Sequence, residues 1–144
     1  MNYRFIKKSD INSIFLLGKP YFGKKTEYSW DWSKEKIKQY FNKSFGFGIV
    51  CIDKNLIIGF ALVQKDYSSQ KPNVTCINYI FVAKKYRHNS IGSNLLKLVF
   101  SKLKEMGKTD LITDVYLKNK SSLDFFHLNK FSIKEKWLIL SRKL

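Results

Sequence analysis

The chain has 144 residues, two cysteines, and 27 lysines and arginines against 11 acidic residues, for a formal net charge of +16. That length fits about one domain, expected here to span residues 1 to 144, with a core that needs neither disulfides nor metal. The longest apolar run, Leu56 to Val63, is far short of the ~20 residues a membrane span requires, and no run of like charge marks a disordered tail.

Tyr3 to Ile6 reads as a short strand. Ser9 is placed to cap a helix to Leu17, with Ile11, Ile14, Phe15 and Leu17 on one face. Gly18, with Pro20 beyond it, is expected to stop that helix. Residues 19 to 32 then form an aromatic loop with Tyr21, Phe22, Tyr28, Trp30 and Trp32. Aromatics at that density either line a ligand pocket or lid the core, and the lid is the preferred reading. Ser33 caps a helix to about Ser44, with Trp32 and Ile37 spaced as a hydrophobic staple.

Phe47 to Ile52 and Leu56 to Lys65 make a hairpin around Asp53-Lys54-Asn55. Val74 to Val82, apolar on both faces, belongs in the middle of a sheet. Ile91 to Met106 is an amphipathic helix with Leu95, Leu98, Val99, Leu103 and Met106 in its stripe, and Gly107 ends it. Leu111 to Leu117 reads as a strand, which completes a right-handed parallel βαβ unit. Ser121 and Asp124 are spaced as a capping box for a helix from about Ser122 to Leu128, and Ile133 to Leu140 reads as a final strand. The fold class expected is α+β (mixed α/β), with a mixed, mostly antiparallel sheet of about six to seven strands and about four helices. Cys51 and Cys76 fall inside strands without CxxC spacing, and the N-terminus lacks an apolar signal core. A cytoplasmic protein without structural zinc is therefore expected.

The loop between the apolar strand and the long helix concentrates the chemistry. Lys84, Lys85, Arg87 and His88 precede a helix N-terminus, whose free N–H groups and dipole favour an anion such as phosphate, and Gly92 adds no side chain there. The net charge has two readings. A basic surface attracts nucleic acid or a ribosome, whereas lysines scattered through nearly every segment fit a compositional bias, and the second reading is preferred.

From Ile80 to Phe131 these residues resemble the GNAT superfamily of acyl-CoA-dependent N-acetyltransferases. The family's signature of Arg or Gln, two residues, Gly, one residue, then Gly or Ala stands here as Arg87-His88-Asn89-Ser90-Ile91-Gly92, preceded by Phe81-Val82 and Tyr86. A downstream family segment stands as Asn119, Phe125-Phe126 and Lys130-Phe131. The resemblance implies parallel fourth and fifth strands that splay apart beyond Phe81 and Val82, with acetyl-CoA in the gap and no metal. By it, Arg87, His88, Asn89, Ser90, Ile91, Gly92 and Ser93 hold the phosphates, Phe81 and Val82 the pantetheine arm, and Asn119, Phe125 and Phe126 the far wall.

The chemistry so implied is direct attack of an amine on the thioester, which requires a base and an acid for the leaving thiolate. Asp114 stands where amino-terminal acetyltransferases of ribosomal proteins carry a glutamate base. The alternative is a strand aspartate bonded to a neighbouring turn. Cys76, Asn78 and Tyr79 stand where other branches carry an acidic or histidine base, and none is an obvious substitute. Glu27 and Asp31 are placed to attract a cationic amine or to be solvated loop charges.

Three departures matter. Ser90 replaces the first loop glycine. Phe126 replaces the tyrosine that protonates the thiolate, which leaves Tyr79, Tyr116 or water as donor. Lys130 replaces a glycine past a helix end, where Asn129 is expected to take the left-handed turn. Two functions remain: an acetyltransferase acting on a primary amine, and a weakly or non-catalytic coenzyme A-binding module whose basic face contacts RNA or a ribosome. The acceptor and the oligomeric state are not readable from the sequence.

Overall fold

An ion pair joins the first strand to the first helix. Arg4 Nη1 and Nη2 grip Asp10 Oδ2 and Oδ1 at 2.6 and 2.9 Å, while the Lys7 N–H donates to Asp10 Oδ2 at 2.7 Å. Asp10, and not Ser9, therefore organises the approach to that helix, and its burial is tolerable because both carboxylate oxygens are bonded. The computed structural model describes residues 1–23, 31–68 and 70–143, in two units, 1–114 and 115–144.

The first unit holds β1 (Asn2–Phe5), α1 (Ile11–Phe22), α2 (Lys34–Gln39), β2 (Gly46–Asp53), β3 (Leu56–Gln64), β4 (Val74–Val82), α3 (Ile91–Glu105) and β5 (Asp110–Ile112). The sheet order is β1-β2-β3-β4-β5, antiparallel throughout except for the parallel β4–β5 pair. The β2–β3 turn has Lys54 and Asn55 both left-handed, at φ 46° and 67°, as a two-residue hairpin demands. Side-chain alternation separates two layers. Val50, Phe60, Leu62 and Phe81 meet Ile14 of α1, Trp32, and Ile37 and Tyr40 of the α2 region. The opposite face carries Ile49 toward α3, whose Ile91, Leu95, Leu96, Val99 and Leu103 are buried. Leu96 thus joins the buried stripe, while Leu98 is exposed. Cys51 and Cys76 are buried free thiols. No helix among the described residues is long and apolar enough to cross a membrane.

Several boundaries depart from the sequence expectation. α1 does not stop at Gly18 but runs to Phe22, with Pro20 inside it. A Cβ on Gly18 would stand 2.4 Å from Trp32 Cζ2, so this glycine is a packing seat for an indole, and Trp32 Nε1 donates to the Phe15 carbonyl at 2.9 Å. Ser33 caps α2 as expected, accepting the Lys36 N–H at 3.2 Å. That helix ends at Gln39 and not near Ser44, since the Asn42 side chain takes the Ser44 N–H at 2.9 Å and competes with helical bonding. β5 is Asp110 to Ile112, so of the expected Leu111 to Leu117 only Leu111 and Ile112 form strand. Tyr28, Trp30 and Glu27 of the aromatic loop lie outside the described residues; Trp32 belongs to the core.

The second unit holds α4 (Lys120–Leu128). Its cap is Asn119, whose Oδ1 accepts the Ser122 N–H at 3.1 Å, and not the expected box of Ser121 and Asp124, because Asp124 pairs with Lys120 at 2.9 Å. Lys130 itself takes the left-handed turn at φ 65°, while the Asn129 side chain bonds the Phe125 carbonyl at 2.8 Å. Phe126 packs edge-on against Phe125 and Phe131, at ring separations of 5.1 and 5.0 Å. Residues 131–143 form no regular element, so the strand expected at Ile133 to Leu140 is not formed. Among the described residues this unit offers no second strand to bond it. The sheet therefore has five strands among the described residues, fewer than the six to seven expected.

By helix propensity alone Gly18→Ala would stabilise α1 by about 1 kcal/mol. The Trp32 contact reverses the sign, and we expect a net loss of about 1–3 kcal/mol, measured by urea denaturation. Asp10 is held below the usual carboxylate range, first by its hydrogen bonds from Arg4. A depressed native pKa adds stability that is full above the unfolded value of about 3.9 and fades as pH falls through the native one. Asp10→Asn should therefore be destabilising at neutral pH, with the gap to wild type closing in acid.

Candidate functional site

The ladder between β4 and β5 holds for only three pairs, ending at Cys76 with Ile112. The strands therefore separate after Cys76, five residues before Phe81 and ahead of the expected splay beyond Phe81 and Val82. The Thr113 hydroxyl donates to the Ile77 carbonyl at 3.0 Å and takes over where the ladder stops. On its other side β4 stays bonded to β3, and the Ala83 N–H reaches the Ile58 carbonyl at 2.8 Å. Alternation then turns the amides of Ile80 and Val82 toward the open edge. A run of backbone groups on an otherwise buried strand is left for an extended ligand with amides of its own.

At the end of this edge the chain makes a 3-10 turn, Lys84–Tyr86, and then two left-handed residues, His88 at φ 63° and Ser90 at φ 58°. Asn89 braces the loop by donating to the Tyr86 and Arg87 carbonyls, each at 3.2 Å. Ser90 sits at the N-cap of α3 without a side-chain cap bond. Among the described residues the backbone N–H groups of Ile91, Gly92 and Ser93 have no protein acceptor. Three bare donors at the positive end of a 15-residue helix, ringed by exposed Lys84, Lys85, Arg87 and His88, fit a pyrophosphate. Ile91 contributes only its N–H, since its side chain is buried under the sheet.

Arg87 is partly committed elsewhere. Its Nε donates to the Val82 carbonyl at 3.0 Å, and its guanidinium lies 5.5 Å from the ring centres of both Tyr21 and Phe81. Those rings are themselves 4.5 Å apart. Arg87 therefore ties the loop to the end of α1, with its Nη atoms left for an anion. Tyr21 was not singled out by sequence reasoning for this partnership, for which proximity in the fold is the sole signal.

At the mouth of the splay stands Asp114, exposed, two residues past the last ladder pair, with no hydrogen bond to its carboxylate among the described residues. Its charge is the main reason the Tyr67 hydroxyl titrates above the ordinary phenol range. Burial first, and Asp114 second, push the Cys76 thiol up to about 12. Cys76 therefore stays a thiol and is no nucleophile at neutral pH. The Tyr79 ring is half-buried, 4.9 Å from Trp32 and 5.1 Å from Phe22, and burial and then Asp31 keep its hydroxyl protonated. Phe81 is a core residue and Val82 is half-buried beside it. Tyr116, Asn119, Phe125 and Phe126 lie in the second unit: Tyr116 is exposed, Asn119 spends its side chain on the α4 cap, and Phe126 is buried. No group of three His, Cys, Asp or Glu among the described residues is placed to hold a metal ion.

A model described as the acetyltransferase (GNAT) family matches residues 13–131. No curated protein sequence matches the chain. Among solved structures, the apo aminoglycoside 6'-N-acetyltransferase AAC(6')-IG of Acinetobacter haemolyticus superposes with a TM-score of 0.79 at 16% identity, covering 100% of this chain and 99% of that one. AAC(6')-Iy bound to the bisubstrate analogue CoA-S-monomethyl-acetylneamine gives 0.80 at 16% identity, over 99% and 98%. The aminoglycoside acetyltransferase meta-AAC0020, from an uncultured soil metagenomic sample and bound to sisomicin, gives 0.77 at 16%, over 99% and 95%. At such identities the likeness speaks to the fold alone.

Ser90 occupies a left-handed conformation at a cost of about 1 kcal/mol that glycine avoids, and its side chain makes no cap bond. Ser90→Gly is expected to raise stability by up to about 1 kcal/mol. Ser90→Ala should leave it unchanged, both read from denaturation midpoints.

Proposed function

The chain belongs to the acetyltransferase (GNAT) family, and on that premise we propose that it transfers an acetyl group from acetyl-CoA to a primary amine by direct attack. The observation that carries this is the continuity between the unpaired edge of β4 and the bare N-terminus of α3. One surface offers strand amides for a pantetheine arm and helix N–H groups for its pyrophosphate.

In this reading Ile91, Gly92 and Ser93 give backbone donors to the phosphates, with Arg87, His88, Lys84 and Lys85 supplying charge and Ser90 and Asn89 shaping the turn. Val82 and Ile80 line the arm, with Phe81 fixing their strand in the core. Bound acetyl-CoA supplies an activated thioester carbonyl. Asp114 accepts the proton that the incoming ammonium must lose, aided by its exposure at the mouth of the splay. A phenylalanine at position 126 has no proton to return to the departing sulfur, so Tyr79 or a water does so. A thiolate is a good leaving group, and this step need not limit the rate. For the acceptor, aminoglycosides are the first class to test, because several structural neighbours are aminoglycoside acetyltransferases.

A second reading, a coenzyme A-binding module with little turnover whose basic surface meets RNA or a ribosome, draws on Phe126 and on the net charge of +16.

Acetyl-CoA at 100 times its dissociation constant should stabilise the fold by about 2.7 kcal/mol. An unmoved melting curve at saturating concentration would remove the coenzyme from both readings. Thiol release is then followed with sisomicin, polyamines and amino-terminal peptides. Turnover of any of them supports the transferase, whereas silence together with salt-sensitive RNA binding supports the module. Asp114→Asn should lower kcat by about 10²–10⁴-fold, the usual worth of a general base. Phe126→Tyr should leave kcat intact or raise it.

A further inference from the structure

One polar group on β4 has a fixed orientation and an unused valence. Leu62 pairs with Tyr79 and Val63 with Ile77, so Asn78 is the extra residue of a β-bulge, two positions past the last β4–β5 pair. It faces α2, since its Nδ2 donates to Tyr40 Oη at 2.8 Å, and the same nitrogen donates to Gln64 Oε1 at 3.1 Å.

Which way each amide points follows from a backbone carbonyl. The Asp66 carbonyl can only accept, and it takes a bond from Gln64 Nε2 at 3.2 Å. That leaves Gln64 Oε1 toward Asn78, which must therefore meet it with N–H. Both N–H groups of Asn78 are thus spent on Gln64 and Tyr40. Its Oδ1 has no partner among the described residues and the side chain is half-buried. Tyr40, 4% exposed, is pinned in the core and holds the far side of the amide.

We propose that Asn78 Oδ1 binds the acceptor amine, accepting an N–H of the attacking nitrogen and so directing its lone pair, with Gln64 and Tyr40 as the residues that hold it in place. This rests on the acetyl-transfer reading and refines it: the acceptor's nitrogen is met at β4 by a neutral oxygen and not by a carboxylate. The distinction has chemical content. A carboxylate in contact would favour the ammonium, which has no lone pair to donate, whereas an amide oxygen binds the free amine without raising its pKa to the same degree. The titratable groups around the bulge are Tyr40 just past α2, Cys76 and Tyr79 on β4, Asp31 ahead of α2, and Asp114 beyond β5. The first three remain uncharged at neutral pH, each pushed up by burial. Of the two carboxylates, Asp31 accepts from the Ser33 hydroxyl at 3.4 Å, whereas Asp114 has no hydrogen bond among the described residues and is available to take the proton while Asn78 holds the nitrogen.

The test measures thiol release from acetyl-CoA with sisomicin and, separately, with n-butylamine, over a pH series, alongside the thermal shift produced by coenzyme A. Asn78→Ala should cut kcat/KM for the amine about tenfold or more, as expected for one lost polar contact, with KM for acetyl-CoA and the coenzyme A thermal shift unchanged. Asn78→Asp, the near-isosteric variant that covers any folding failure of the alanine, should move the alkaline rise of kcat to higher pH. Tyr40→Phe should give a smaller loss in the same direction. Wild-type kcat/KM in Asn78→Ala with either amine, or an unmoved pH profile in Asn78→Asp, overturns the proposal. So does a wild-type protein that binds coenzyme A but acetylates neither amine. A wild type that coenzyme A does not stabilise fails the coenzyme reading first, and this proposal with it.

Discussion

Everything of functional interest depends on β4 and β5 ceasing to be neighbours after Cys76. A parallel ladder satisfies backbone groups on both strands, and breaking it inside a sheet leaves amides that must find partners. This chain answers with side chains at the two ends of the gap. Thr113 takes the Ile77 carbonyl and Arg87 takes the Val82 carbonyl, and the groups between them stay open. The β-bulge at Asn78 falls inside that interval, so the strand also changes its twist there and presents Asn78 and Tyr79 as consecutive residues toward the α1 and α2 layer.

Charge is distributed to match. Lysines occur along most of the chain, yet the acidic groups on the described surface are few and several are engaged, Asp66 with Lys108 at 2.6 Å and Glu105 with Lys102 at 3.0 Å. Asp114 stands apart from these pairs. The local contrast between a basic loop at one end of the gap and a lone carboxylate at its mouth suits a polyanionic donor and a cationic acceptor arriving from different directions. The overall charge of +16 would not have revealed that contrast.

The sequence made legible what rests on local periodicity and local caps. Val74 to Val82 matches to the residue, the bounds of α3 to within one residue, and Ser33 is the cap that its spacing implies, while the stripe of α3 holds at Leu95, Val99 and Leu103 but not at Leu98. What stayed hidden rests on partners distant in the chain. Gly18 carries every mark of a helix stop, and nothing local says that an indole fourteen positions later needs its missing Cβ. The capping role of Asn119 is hidden in the sequence, because the spacing of Ser121 and Asp124 imitates a capping box. Ile133 to Leu140 has the composition of a strand, and composition does not supply a partner. For Asn78 the available signal was a lone amide in an apolar strand; its orientation depends on Gln64 and Tyr40, 14 and 38 positions away.

The seat that Gly18 provides for Trp32 also bears on how this protein changes over evolutionary time. Trp32 is held at once by that seat, by the Phe15 carbonyl and by stacking on Phe60 at 5.7 Å, so the chain re-enters the core at a fixed point after α1. The entropic cost of closing a chain between fixed anchors rises only slowly with its length. A change of chain length between Phe22 and Trp32 therefore costs little closure entropy, whereas Tyr21 and Phe22, packed on Phe81 and Trp32, tie the end of α1 to both the core and the donor side.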